Sequence, residues 1–260
     1  MKRQIFRWNC SLRQNRKCAC HSSTLIAPIP QGRPDLHLYS QTEFINKNEV
    51  PSWINPDIDT GALLTAHEDK PYLTLDRVIV RITNRSTLAP AFNALIHCEV
   101  SEYGIGLPRT RLESKQVTIN PSQTKSLEFQ LSMPRSESDP IGAFIRAELP
   151  SDINPIDNEG AQVSFGTYSY QNDDKTVNFD VGNPTDQDGD ISLTLHTNRL
   201  DALIEPAVFT LESGHRMPVK LSYNLDNIDR NAGGREDITV IARLNGVVIG
   251  GLTYYVRIYD

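Results

Sequence analysis

The sequence predicts an all-β fold, built as two tandem antiparallel β-sandwiches behind an extended N-terminal arm. Three observations support this prediction: two strand-like segments recur roughly a hundred residues later, short alternating segments fill both copies, and the N-terminus lacks any sustained period. The 260 residues have room for two small domains. We place a basic, proline-containing arm and linker at 1–70, the first sandwich at 71–166 and the second at 167–260.

The first repeated segment is "RVIVRITNRST", residues 77–87, which is echoed by "TVNFDVGNPT", residues 176–185. In both copies apolar residues alternate with mostly polar ones, and this period of two places the apolar set on one face of a strand. Each strand then reaches an asparagine, Asn84 or Asn183, with a serine or threonine two positions later. Short polar side chains of this kind favour turns because they bond to nearby backbone.

The second repeated segment is "VTINPSQTKSLEFQL", residues 117–131, which aligns without a gap on "FTLESGHRMPVKLSY", residues 209–223. Its apolar positions coincide, and a polar insert containing Ser122 or Gly214 predicts a strand, a loop and a second strand. The two echoes lie 99 and 92 residues apart, a period that suits one small sandwich for each copy. Further predicted strands are "FNALIHCEV", "IGAFIRAEL", "AQVSF", "DISLTLHT", "ITVIARL" and "LTYYVRI".

Three stretches carry a family resemblance: "SWINPDIDTG", "RVIVRITNRSTLAPAFNALIHCEVSEYG" and "DINPIDNEGAQVSF". They resemble bacterial immunoglobulin-like (Ig-like) domains of the CARDB type over roughly residues 52–166, and the second copy resembles the family only through the repeat. The chain departs from the family pattern at Asn55 and Ser86. The resemblance implies Ig-like, fibronectin-like sandwiches of the kind used as adhesion and spacer modules, and it brings no catalytic residues.

Charge is distributed unevenly along the chain. The net charge is −6, yet the first 23 residues hold six Lys or Arg and no acid, which leaves 20 basic against 32 acidic residues beyond them. An acidic body argues against nucleic-acid binding by the folded domains. The basic arm is expected to bind a protein partner or another copy of this chain.

Hydropathy predicts no membrane span, because no run of 18 apolar residues occurs. The basic start is not followed by the apolar segment of a secretory signal, so we expect cytoplasmic synthesis and incorporation into a particle or surface structure.

Cys98 lies on an apolar strand face and is expected to be buried and inert.

Two regions are candidates for partner contact. The N-terminal segment contains aromatic anchors, and the loop "LDNIDRNAGGRED" would lie at an end of the second sandwich, where recognition loops are commonly held. A passive connection remains the alternative for the loop. The predicted contact residues are Phe6, Trp8, Trp53, Asp229, Arg230, Asn231 and Arg235.

Two groups of residues are candidate metal ligands. Cys10, Cys18, Cys20 and His21 are soft donors of the type that zinc binds, although a flexible tail is the alternative because their spacing crowds three donors. The segment "TDQDGD" offers carboxylates to Ca²⁺ at Asp186, Asp188 and Asp190, and a hairpin turn is its alternative.

A third acidic stretch, "SDINPIDNEG", places Asp152, Asp157, Asn158 and Glu159 between two strands. It could hold a cation where the two domains join, or it could be a polar loop whose turn Pro155 sets.

Motifs for catalysis are absent: the sequence contains no nucleophile elbow, phosphate loop or dinucleotide fingerprint. We therefore expect no enzyme and no obligatory cofactor, and His97 and His196 are expected to be solvated. The leading hypothesis is a non-enzymatic structural or interaction protein, a subunit or decoration of a bacterial or phage assembly anchored through its arm. The alternative is a surface module that binds glycan or protein through its end loops, with Ca²⁺ as a possible requirement.

Overall fold

The computed structural model describes residues 32–60, 77–131, 141–169, 175–225 and 234–258. Within these ranges the predicted all-β fold is confirmed, with a six-residue helix α1 (Gln41–Asn46) and a short 3-10 helix (Pro155–Asn158) beside the strands. The strands are β1 (Leu36–His37), β2 (Ile58–Asp59), β3 (Arg77–Asn84), β4 (Ala91–Glu102), β5 (Gly104–Ile105), β6 (Thr110–Ile119), β7 (Thr124–Gln130), β8 (Ile141–Glu148), β9 (Glu159–Gln162), β10 (Ser164–Ser169), β11 (Lys175–Gly182), β12 (Gly189–Thr197), β13 (Asp201–Glu205), β14 (Val208–Leu211), β15 (Arg216–Asn224), β16 (Gly234–Leu244) and β17 (Val247–Ile258).

The first sandwich packs two antiparallel sheets face to face. One sheet pairs β3 with β7 along one edge and with the short strands β1 and β2 along the other; the second sheet has the order β6-β4-β8-β9. Alternating residues of β3, such as Val78, Val80 and Ile82, are fully buried in the core between the sheets. The predicted period of two is therefore confirmed in this strand.

The second sandwich repeats this plan. Its larger sheet contains the order β14-β12-β16-β17, which matches β6-β4-β8-β9, and its smaller sheet pairs β11 with β15 as β3 pairs with β7. The register also repeats, because Val80 lies opposite Leu127 and Phe179 lies opposite Val219, as the two sequence alignments require. The repeat in the sequence is thus a repeat of the fold.

Two buried asparagines occupy equivalent places in the two sandwiches. The Asn84 amide donates to the Ile119 carbonyl at 3.1 Å, and the Asn183 amide donates to the Leu211 carbonyl at 3.1 Å. Each side-chain oxygen also accepts from the backbone N–H two residues later. The predicted turns are therefore confirmed, and each asparagine in addition ties the end of its strand to the facing sheet.

Residues 32–60, which we had placed in the arm and linker, are built into the folded body. Leu36, Leu38 and Ile58 are buried in the first core, whereas Trp53 is buried in the second. Sequence patterning missed this role because these residues have no period of their own. They bury apolar area against sheets that the rest of the chain forms, and β1 and β2 cover an edge of β3 that would otherwise expose unpaired backbone.

Two short strands link the sandwiches. β5 follows β4 of the first sandwich but pairs in parallel with β11 of the second, and β10 follows β9 but pairs in parallel with β17. Ile105 and Val163, in or beside these strands, are buried in the second core. Among the described helices, none is long and apolar enough to cross a membrane.

Candidate functional site

A cleft of about 350 Å³ lies where the two sandwiches meet. α1, β4, β8 and β9 contribute its walls from the first sandwich and its N-terminal segment, while β5 and β17 contribute from the second. A concave site of this size at the junction of two domains is the usual setting for ligand recognition. We therefore treat it as the candidate functional site.

Close backbone packing fixes the floor of the cleft. The Trp53 N–H donates to Thr253 Oγ1 at 2.9 Å, and the Trp53 carbonyl accepts from the Val163 N–H at 3.0 Å. A Cβ at Gly251 would lie 2.5 Å from both Trp53 Cη2 and the Val240 carbonyl oxygen, so only glycine fits beneath the indole. The N-terminal segment is thereby held against β17.

Arg109 is one of two arginines that line the cleft, and the other, Arg146, pairs with Glu148 at 2.7 Å. The Arg109 guanidinium carbon lies 3.8 Å from the centroid of the Phe144 ring, a cation–π geometry. Burial lowers the pKa of Arg109, and Glu99 and Glu159 oppose that shift, although the side chain keeps a solvent-exposed face. No hydrogen bond or ion pair within the described ranges engages this guanidinium, so its donors can bind a carboxylate or another anion.

His97, which we expected to be solvated, is buried at the same cleft. It lies opposite Ser114 on β6, with Nδ1 2.6 Å from the Ser114 hydroxyl, and its Nε2 lies 3.4 Å from the Glu148 carboxylate. The nearby His97 imidazole is the largest cause that lowers the pKa of Glu148. The expectation was wrong because the polar face of β4 turns toward the cleft and the neighbouring strand.

A second cluster lies beside the cleft, where the N-terminal segment meets the 3-10 helix. His37, Glu43 and Asp157 each place one ligand atom within 4.8 Å of the others. Burial and the nearby Asp35 raise the pKa of Asp157 to about 6, with smaller opposing effects from Asn154 and Arg85. The pKa of His37 is lowered, and burial is the largest cause.

The predicted partner residues fall into three situations. Trp53 is 3% exposed and packs inside this chain, so it anchors the N-terminal segment internally. Arg235 is 43% exposed at its side chain, pairs with Asp237 at 2.7 Å and lies over Tyr255 at 5.7 Å, and its role in partner contact stays a prediction. Phe6, Trp8, Asp229, Arg230 and Asn231 lie outside the described residues.

Of the two predicted groups of metal ligands, one lies within the described residues and the other lies outside them. Asp188 accepts from the Ser213 N–H at 2.9 Å, and Asp190, in β12, accepts from the hydroxyl of Thr210 opposite it at 2.7 Å. The Ca²⁺ site that we placed at these residues and Asp186 stays a prediction. Cys10, Cys18, Cys20 and His21 lie outside the described residues.

Cys98 is fully buried, and burial raises its pKa to about 12. A thiol in this state is a poor nucleophile, which agrees with the expected inert role. Tyr255 is 7% exposed, and its ring packs over Gly166.

Arg109, His37 and Glu43 were not predicted as site residues. Each is a single polar residue without a motif, and its partners lie far away in sequence: Phe144 for Arg109, and Asp157 for the other two. The only sequence signal was the acidic stretch "SDINPIDNEG", which pointed to Asp157 but not to the residues that meet it.

Comparison with known proteins gives no family. No protein-family profile matches the chain, and no curated protein matches it. The resemblance to CARDB-type domains therefore stays a prediction, whereas the Ig-like sandwich architecture is visible in the sheets themselves.

Solved structures show weak likeness over parts of the chain. A cupredoxin domain of amoB from Nitrosocaldus yellowstonii is 21% identical over 33% of this chain and 56% of its own length, with a TM-score of 0.24. A protein of unknown function from Porphyromonas gingivalis is 11% identical over 70% of this chain and 91% of its own, at 0.27. A tip adhesin from Pseudomonas aeruginosa is 8% identical over 70% and 89%, at 0.24. TM-scores this low support no inference about function.

Proposed function

We propose that this chain is a non-enzymatic interaction protein, in which a body of two interlocked Ig-like sandwiches is attached to a larger bacterial or phage assembly through residues 1–31. The observation that supports a structural role is the exchange of segments between the sandwiches. Trp53, Ile105 and Val163 belong to the core of the second sandwich although they come from stretches around the first. Such an exchange couples the two sandwiches and suits a body that transmits or resists load.

The attachment is assigned to residues 1–31 because the folded body begins immediately after them. Arg33 donates to the Ser151 carbonyl at 2.9 Å and also to the Asp152 carbonyl, and the Pro34 carbonyl accepts from the Ile153 N–H at 3.1 Å. A truncation that tests the arm must therefore start at Gly32, since a later start would remove contacts of the body. The arm's excess of basic residues matches the acidity of the body, so another copy of this chain is one suitable partner.

The first test is the molar mass in solution of the full-length chain and of a chain that starts at Gly32. We expect the full-length chain to form discrete oligomers and the truncated chain to be a monomer with an unchanged melting temperature. Phe6→Ala with Trp8→Ala in the full-length chain should reduce the mass in the same way. If the full-length and truncated chains have the same mass, self-assembly through the arm is wrong and a foreign partner takes its place.

A second candidate function is ligand binding at the cleft, and the observation that favours it is the Arg109 guanidinium, which lies over Phe144 and forms no hydrogen bond or ion pair with the described residues. The Arg109 guanidinium beside the Phe144 ring suits a short peptide that carries a carboxylate next to apolar side chains, in a cleft that Glu99, Arg146 and Glu159 also line. This candidate differs from our sequence-based alternative, which placed recognition on end loops and made it depend on Ca²⁺.

The probe for this candidate is a fluorescein-labelled hexapeptide of alternating Asp and Leu, with binding measured by anisotropy in the presence of EDTA. Arg109→Gln is expected to weaken binding at least about tenfold, because a charged hydrogen bond contributes about 1.5–3 kcal/mol. Arg77→Gln is the matched control, since Arg77 is a partly exposed arginine on the opposite sheet, where it pairs with Glu128. Equal binding by the wild type and Arg109→Gln would remove the cleft as the site.

A further inference from the structure

We propose that His37, Glu43 and Asp157 form a binding site for a divalent cation of the Zn²⁺ class, which fastens the N-terminal segment to the loop that precedes β9. His37 lies in β1, Glu43 lies in α1, and Asp157 lies in the 3-10 helix. The three ligands therefore come from two stretches of chain that are more than a hundred residues apart in sequence. This inference depends on their geometry and not on the proposed function.

The spacing of the ligand atoms suits a small cation. They lie within 4.8 Å of one another, and ligands held tetrahedrally at about 2.1 Å from Zn²⁺ stand about 3.4 Å apart. Partly exposed side chains such as His37 and Glu43 can close this gap by small rotations. Three protein ligands and one water complete the tetrahedral coordination of zinc.

Asp157 supplies the observation that points to a ligand. Its side chain is only 3% exposed, and Oδ1 has no hydrogen-bond partner among the described residues. A buried carboxylate oxygen without a donor is costly, and a bound cation would compensate it. Neighbouring Asp35 Oδ1 and Asn158 Oδ1 are also buried acceptors that no described donor reaches.

Two exposed cationic side chains, Lys47 and Arg85, lie beside the proposed ligands and can rotate away from them into solvent. Lys47 pairs with Glu43 at 2.8 Å, and Arg85 lies 3.8 Å from Asp157 Oδ2. The Lys47 side chain is 57% exposed and the Arg85 side chain is 51% exposed. The Lys47–Glu43 pair is exposed and therefore weak, and the Arg85–Asp157 contact is long at 3.8 Å, so a divalent ion can displace both cations.

The ligand types select the class of cation. An imidazole nitrogen favours Zn²⁺ and its first-row neighbours, whereas Ca²⁺ prefers six to eight oxygen ligands. Bound Zn²⁺ would therefore stabilise the contact between the N-terminal segment and the loop before β9, because it binds only the folded arrangement that brings the three residues together.

The test is a titration of the full-length chain with ZnCl₂ by calorimetry, in a variant in which Cys10, Cys18 and Cys20 are serine and His21 is glutamine. These substitutions remove the donors predicted in the arm. We expect one Zn²⁺ per chain and a rise in melting temperature of about 5 °C or more at a roughly hundredfold excess over Kd. Absence of binding would overturn the proposal.

Three further substitutions locate the site. His37→Gln, Glu43→Gln and Asp157→Asn should each weaken Zn²⁺ binding at least about tenfold, since even residues that only support ligands cost that much. His215→Gln is the matched control, because His215 and Glu212 form an exposed pair 3.5 Å apart on the second sandwich. Circular dichroism in EDTA checks that each variant is folded. Glu43 is only partly buried, so Glu43→Gln should fold and keeps the test decisive even if the other two variants do not. Unchanged affinity in Glu43→Gln, equal loss in His215→Gln, or Ca²⁺ binding as tight as Zn²⁺ would overturn the assignment.

Discussion

Replacing Asn84 or Asn183 with alanine is expected to lower the free energy of unfolding by roughly 3 kcal/mol or more, because each change leaves several buried backbone groups without a partner at about 1–3 kcal/mol apiece. Asn84 is fully buried, and its amide donates to the carbonyls of Ala89 and Ile119 at 2.9 and 3.1 Å. Its oxygen accepts from the N–H groups of Asp35 and Ser86, each at 3.1 Å. A methyl group replaces none of these bonds.

Asn183 gives the same test in the second sandwich. It is 2% exposed, and its amide donates to the Gln187 carbonyl at 2.8 Å and to the Leu211 carbonyl at 3.1 Å. The measurement is urea unfolding followed by circular dichroism. Asn120→Ala is the matched control, since Asn120 is an exposed asparagine in the loop between β6 and β7, and we expect it to change stability by less than about 0.5 kcal/mol.

The outcome separates two views of these residues. If Asn84→Ala and Asn183→Ala are as mild as Asn120→Ala, the asparagines serve only as turn residues, as the sequence pattern alone suggested. A large loss in both would show that they join the two sheets of each sandwich. Asn84 has one additional partner in Asp35, so its loss should also loosen the N-terminal segment.

The strands could be predicted because their evidence is local. Alternation along residues 77–84 identifies a strand without knowledge of its partner, and an asparagine followed by a hydroxyl residue identifies the turn that ends it. The repeat indicated two copies of one sandwich, and the structure adds that β3 pairs with β7 as β11 pairs with β15. Both predictions were confirmed for these physical reasons.

The cleft could not be predicted because its residues meet only through the fold. The exchange of β5 and β10 into the second sandwich depends on their parallel pairing with β11 and β17, which no local pattern in the sequence indicates. Arg109 lies between β5 and β6 and meets Phe144 of β8, which comes later in the chain and carries no motif in common with it. The same holds for Trp53, whose place in the second core no local pattern indicates.

Trp53→Ala is the second change for which we expect a large effect. It should lower the free energy of unfolding by about 3–5 kcal/mol, the range for truncating a large buried aromatic side chain to alanine. Trp53 is 3% exposed and belongs to the second core although it precedes the first sandwich in sequence. Urea unfolding of the full-length chain measures the effect, and Trp8→Ala is the matched control. Under the proposed function Trp8→Ala changes the mass of the assembly and leaves the melting temperature unchanged.

The contact between Trp53 and Gly251 makes this prediction more specific. A methyl group at residue 251 would lie 2.5 Å from Trp53 Cη2 and 2.5 Å from the Val240 carbonyl oxygen, so Gly251→Ala should cost about 1–3 kcal/mol by overpacking. In the double variant the indole is gone and one of the two clashes disappears. The combined loss should therefore be smaller than the sum by about 0.5–3 kcal/mol. If the two losses add fully, the indole does not pack on Gly251, and the Trp53 anchor between the N-terminal segment and β17 is wrong.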